Sequence, residues 1–101
     1  MKSAALSGKD LDYWMYRHAC KVLEKTPTDS EFNDGHGQGK FQFSQDASLL
    51  QDLMTQYEIR VQFLADEWLA STTSNSVYGA TPLEAACRLT VIIHFGAEVS
   101  K

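Results

Sequence analysis

Hydrophobic and polar positions along this chain alternate with two different periods, and the switches between them mark out the elements. Leu11, Trp14, Met15, His18, Ala19 and Val22 recur every three or four residues, the spacing of one face of an amphipathic helix. Ser7 stands as its N-cap with Asp10 three residues on, while Asp10, Arg17, Lys21 and Glu24 fall largely off the stripe. The helix is expected to end near Lys25, because Thr26 precedes Pro27 and a residue before proline is pushed out of the helical region. Residues 1–6 read as a flexible lead-in.

The segment 26–40 is polar and glycine-rich, from Thr28-Asp29-Ser30-Glu31 through Asn33-Asp34-Gly35-His36-Gly37-Gln38-Gly39. It predicts a mobile loop of about fifteen residues, long for so small a chain. Phe41 and Phe43 suggest a short strand beyond it. Ser44 is placed to cap a second, short helix carrying Leu49, Leu50, Leu53, Met54 and Tyr57.

From Glu58 the period changes to two. Ile59, Val61 and Phe63 alternate with Glu58, Arg60 and Gln62, Ala65-Asp66-Glu67 turns the chain, and Trp68, Ala70 and Thr72 alternate back. A β-hairpin is predicted, with the polar run from Ser71 to Gly79 able to carry the strand further. A continuous helix from Leu49 to Leu69 is the alternative, and the β-branched and aromatic alternation opposes it. Thr81-Pro82-Leu83-Glu84 then announces the last helix: threonine as cap, proline where no N–H is needed, glutamate completing a capping box. That helix runs through Ala86, Cys87, Leu89, Thr90, Val91, Ile92, Ile93 and His94 to a stop at Gly96, with Glu84 and Arg88 as its one charged pair. Apolar on nearly every side, it is either central in its own fold or half covered by a second copy, so a homodimer through the C-terminal helix is one expectation.

The predicted architecture is therefore α+β: an N-terminal helix, a long polar loop, a short helix, a β-hairpin, and a C-terminal helix packed on a small antiparallel sheet, all in a single domain over 1–101. Ile59, Val61, Phe63, Trp68, Leu83, Ala86 and Val91 are expected to share the core with Leu11, Trp14 and Met15.

Composition narrows the function classes. With 44% hydrophobic and 22% charged residues the chain is of ordinary globular make-up. Its net charge of -4 and scattered lysines and arginines disfavour nucleic acid, whose phosphates call for clustered cations. Cys20 and Cys87 are far apart and both fall in helical patterns, which suits buried free thiols in a reducing, cytoplasmic setting. The start of the chain has no leader pattern, and the apolar stretch Leu89–Phe95 is too short for a bilayer, so a soluble protein with no membrane partner is expected.

Candidate chemistry is sparse. Asp34-Gly35-His36-Gly37-Gln38-Gly39-Lys40 lacks the first glycine and the closing Ser or Thr of a phosphate-binding loop, and lacks the strand before it and helix after it. His18, His36 and His94 have no second ligand at metal-site spacing, and His18 and His94 lie on or beside apolar stripes. Neither cysteine has a base or electropositive setting nearby in sequence. The pairs Asp10/Asp12 and Asp66/Glu67 belong to a cap and a turn. No catalytic residue, cofactor or metal is expected. Tyr13 and Tyr16 point off the core stripe and are read as exposed anchors for a protein partner; with His36 and Arg88 they form the candidate interaction surface.

Leu11-Asp12-Tyr13-Trp14 near the start, and Gly79-Ala80-Thr81-Pro82-Leu83-Glu84-Ala85-Ala86-Cys87-Arg88 with Gly96-Ala97-Glu98-Val99 near the end, resemble the NinX-like family of small phage and prophage proteins of unknown function. The likeness covers roughly residues 6–23 and 57–99. The middle departs from that pattern: Asp46-Ala47 and Leu50-Gln51-Asp52 stand where the family tends to carry Asp-Trp and then Gly-Gly-Pro. The resemblance implies a bacterial or prophage-encoded accessory protein and supplies no activity. Three readings follow: a non-catalytic protein acting on a host or phage protein, a small enzyme or ligand-binding domain using segment 26–40 as a lid over a pocket beside Tyr13 and Arg88, and a weak nucleic-acid associate suggested by phage context alone.

Overall fold

The computed structural model describes residues 1–100. Their element order is a 3-10 turn Ser3–Ala5, α1 Gly8–Val22, α2 Asp29–Gly37, a second 3-10 turn Phe43–Gln45, α3 Ser48–Tyr57, β1 Arg60–Leu64, β2 Glu67–Ser71, β3 Ser76–Gly79 and α4 Pro82–Phe95. The strands form one antiparallel sheet in the order β1-β2-β3, with Val61 opposite Ala70 and Ala70 opposite Val77. The fold is α+β, and α4 is its centre, packed against α1, α3, the sheet and both 3-10 turns.

Local chemistry sets most boundaries. α1 stops at Val22, before the expected Lys25, because Glu24 adopts a left-handed φ of 56° and the Lys25 N–H closes back on the Cys20 carbonyl at 2.8 Å. α3 ends the same way: Glu58 takes φ 55° and the Ile59 N–H reaches the Met54 carbonyl. Glu58 is thus a helix terminus and not the first residue of the strand. Between β1 and β2, Ala65 and Asp66 both have positive φ, the two-residue turn whose twist suits a hairpin. At α4, Thr81 Oγ1 accepts from the Glu84 N–H at 3.0 Å while Glu84 Oε1 accepts from the Ala80 N–H at 2.9 Å.

The lead-in and the loop come out differently from the sequence expectation. Ser3 and Leu6 are fully buried, and Ser3 is bonded through its N–H to Ala97 and through its hydroxyl to Gly96. Residues 1–6 are therefore part of the packed structure beside α4. Within 26–40, Asp29–Gly37 is helix, capped by Thr28 Oγ1 on the Glu31 N–H at 3.2 Å. Phe32, its one large apolar residue, is 1% exposed and sits among Tyr13, Tyr16 and Phe41. Phe41 and Phe43 form no strand; Phe43 opens the second 3-10 turn. Ser44 is not the cap of α3 either, since Asp46 Oδ1 accepts from the Ser48 N–H at 3.1 Å and does that work.

Of the expected core, Leu11, Trp14, Met15, Ile59, Ala86 and Val91 are buried, while Val61, Trp68 and Leu83 are partly so. Phe63 is the exception at 57% exposed, because α4 lies mainly over β2 and β3 and leaves the outer strand β1 largely uncovered. Helix and sheet approach tightly at Gly79. A Cβ there would stand 2.5 Å from the Ala85 nitrogen and 2.9 Å from its Cα, backbone atoms of α4 that cannot swing aside. Gly79→Ala should therefore cost about 2 kcal/mol of stability by urea unfolding. An unchanged midpoint would mean that the sheet shifts freely under α4.

Candidate interaction surface

The four residues singled out from the sequence belong to two separate seams. Tyr13 and Tyr16, expected to be exposed, are 6% and 2% exposed. They face α2, where the Tyr13 hydroxyl donates to Asp29 at 2.8 Å and the Tyr16 hydroxyl donates to Glu31 at 2.9 Å while accepting the Thr28 N–H. A polar helix with one large apolar side chain needs such anchors, and α1 supplies them from the flank of its stripe. Burial, then the hydrogen bond to Asp29, pushes the Tyr13 phenol up from its ordinary value. Tyr16→Phe should lower stability by about 1 kcal/mol in a thermal or urea melt. A neutral result would show that the hydroxyl gains as much from water as from Glu31.

His36 lies in the same seam, on α2 and half-buried. Its Nε2 is 2.9 Å from Asp12 Oδ2, and the other oxygen of Asp12 accepts the Ser44 N–H at 2.7 Å. One buried carboxylate on α1 thus ties down both α2 and the second 3-10 turn. Arg88 is elsewhere, between the sheet and the chain start. Its Nε donates to the Leu6 carbonyl at 2.7 Å, its Nη1 to the Tyr78 carbonyl at 2.8 Å, and its Nη2 pairs with Glu84 at 3.2 Å. Tyr13, Tyr16, His36 and Arg88 are thus tied into the fold in two separate seams, and the expected lid segment is the helix α2 packed against α1.

A third cluster joins residues the sequence scattered. His18 on α1 and His94 on α4 both turn Nε2 to the Tyr57 hydroxyl at the end of α3, at 2.5 and 2.8 Å. Burial first, then the charges of His94 and Lys21, pulls the His18 imidazole down to about 4. Burial and Lys21 lower His94 as well. The phenol carries one proton, so it donates to one ring and accepts from the other, a neutral arrangement that cements three helices. Burial pushes the Cys87 thiol up to about 12, so it stays protonated and is poorly suited to nucleophilic work. Among the described residues no group of three His, Cys, Asp or Glu side chains is placed to hold a metal, and no helix is long and apolar enough to cross a membrane.

What the fold leaves open is the outer strand. The two-residue turn closes on the pair Leu64 and Glu67, so the N–H and C=O groups of Leu64, Gln62 and Arg60 point to β2. Those of Val61 and Phe63 point away from the sheet, where no backbone or side-chain partner meets them among the described residues. On the opposite edge Arg88 takes the Tyr78 carbonyl, while the Tyr78 N–H and the backbone groups of Ser76 face outward, and α4 packs more on β3 than on β1. Around the free edge Phe63 packs on Trp68 on one face, and the other face is mixed, with Leu64 opposite Glu67 and Gln62 opposite Leu69, which pairs in turn with Tyr78. Phe63, Leu64 and Tyr78 are among the most exposed large hydrophobic residues, at 57%, 39% and 46%. The sequence signal for this surface was the alternation itself, which identifies a strand but not its place at an edge.

No family model, curated protein or solved structure matches this chain.

Proposed function

We propose that this chain is a non-catalytic interaction module that binds an extended segment of a protein partner along β1. The observation that carries the reading is the unpaired β1 edge, beside exposed Phe63 and Leu64, on the strand that α4 covers least. Backbone N–H and C=O groups left open in a row recognise another strand by main-chain hydrogen bonds, and side chains on alternate positions give selectivity. Natural edges are usually blunted by lysine, proline or a bulge, and Arg60–Leu64 has no lysine or proline and pairs with β2 without interruption.

The likeness of both chain ends to small phage and prophage proteins fits an accessory role in a bacterial host. Two buried free cysteines fit a reducing cytoplasm. A net charge of -4 favours a protein partner over nucleic acid. The test is a random-peptide library panned on the purified chain, with selected peptides mapped by amide chemical shifts. Selected peptides should alternate apolar and polar residues, perturb the amides of Val61 and Phe63 most, and lose binding to Phe63→Lys. Peptides that instead map to the shallow apolar groove between α1 and α3, about 230 Å³ and bordered by Val22, Leu23 and Leu49, would refute the edge as the working surface.

A further inference from the structure

Resting on the reading of β1 as a strand-binding edge, we infer that its occupant is β1 of a second copy, paired antiparallel about a two-fold axis at Gln62. The strand is complementary to itself in that register. Val61 and Phe63, whose backbone groups face outward, fall opposite Phe63 and Val61 of the other copy, so each chain both donates and accepts along its whole edge. A register moved by one residue at the axis would set outward-facing groups against ones already used by β2. Centring on Val61 or Phe63 preserves the alternation but pairs fewer strand residues; about Phe63 it also draws in Ala65, which the turn holds at φ 49°.

Side chains agree with the backbone. A two-fold axis perpendicular to the sheet keeps both α4 helices on one face. The strip over β1 that α4 leaves bare is then roofed by two Phe63 rings, each beside a Val61 of the other copy. On the other face Arg60 lies across from Leu64 of the second copy. The product is a six-stranded sheet in the order β3-β2-β1-β1-β2-β3, whose remaining edges are the two β3 strands, where Arg88 takes the Tyr78 carbonyl. Pairing one five-residue strand covers a small area, so the dimer dissociates on dilution.

Light scattering behind size exclusion across a dilution series reads the mass directly, and a single cysteine reads the register. The expected result is twice the 11.3 kDa chain mass at high concentration, falling to one on dilution. Phe63→Lys should remain monomeric at every concentration while keeping a cooperative unfolding transition. Gln62→Cys should cross-link to itself under copper phenanthroline, because unbonded antiparallel partners bring their Cα atoms to about 4.5 Å, within reach of a disulfide. Val61→Cys should not, since its opposite number is Phe63; the native Cys20 and Cys87 are buried and do not compete. A chain monomeric at every concentration, a dimer that survives Phe63→Lys, or cross-linking at Val61 in place of Gln62 overturns the proposal. Monomeric chain that still binds peptides on β1 would overturn self-pairing alone. Failure of both assays would remove the strand-binding reading with it.

Discussion

Replacing Asp12 with alanine is expected to destabilise the chain by about 3 kcal/mol, more than any other single polar truncation in the fold. Its carboxylate is 2% exposed, and both oxygens are engaged, one by His36 Nε2 and one by the Ser44 N–H. The methyl of alanine would leave that N–H without its acceptor and remove the contact that ties the His36 end of α2 to α1. Asp12→Asn should cost less, about 1 kcal/mol, because its amide oxygen still accepts from Ser44. Urea unfolding of the three proteins measures both values. Equal losses for alanine and asparagine would show that negative charge, and not acceptor geometry, is what the site supplies.

Acid should weaken the fold by up to about 3 kcal/mol between pH 6.5 and pH 4, through His18. The sign follows from the direction of the shift. The unfolded chain takes up a proton near 6.5, whereas the folded imidazole resists one until about 4, so below 6.5 the unfolded state binds more protons and gains. This stability is fully present above 6.5 and is lost as the pH falls toward 4. His94, lowered in the same sense, adds to the effect. The geometry gives the cause a second leg: if both rings are protonated, both Nε2–H groups aim at the Tyr57 oxygen and its own proton has nowhere to go. Comparing unfolding at pH 7.5 and 4.5 for the native chain and His18→Gln isolates the contribution. The variant should lose distinctly less on acidification, and parallel losses would place the acid sensitivity elsewhere.

How legible this protein was in its residues depended on the range over which each feature acts. The capping box Thr81-Pro82-Leu83-Glu84 works within one helical turn, and it forms with the Thr81 and Glu84 bonds that the spacing implied. The alternation around Val61 and Ala70 specified a hairpin, and Ala65-Asp66 turns it. Helix α2 is the instructive miss. Thr28-Asp29-Ser30-Glu31 carries the same cap signal as Thr81 to Glu84, so a local cue was present. It was outweighed by Gly35, Gly37 and Gly39 and by a single apolar residue, a composition that favours loop when judged on propensity. Contacts with α1 overrule that preference: Phe32 packs among Tyr13, Tyr16 and Phe41, and a Cβ on Gly35 would strike Phe41 at 2.4 Å, so the glycine makes room for a ring.

The candidate surface was misread for a related reason. Tyr13 and Tyr16 lie off the stripe that faces α4, and with only one face counted they read as exposed; a second partner helix, not visible as one, covers them. The reverse holds for Phe63, whose alternation with Gln62 says inward while the position of α4 leaves it outside. The apolar surround of α4, consistent in sequence with either a central helix or a subunit interface, resolves into contacts with nearly every other element of the same chain.

By itself the sequence determined the period of each segment, the capping box of α4 and the turn of the hairpin, and so the α+β class. Each of these rests on hydrogen bonds and side-chain spacing within a few residues, where the chain has little freedom to choose otherwise. Only the tertiary structure decided that 29–37 is helix, that His18, Tyr57 and His94 meet, that Arg88 reaches the Tyr78 carbonyl of β3, and that β1 lies at the edge of the sheet. Those outcomes turn on which distant segments share the space around α4, and the free energy of burying one against another is a property of the pair that neither segment carries alone.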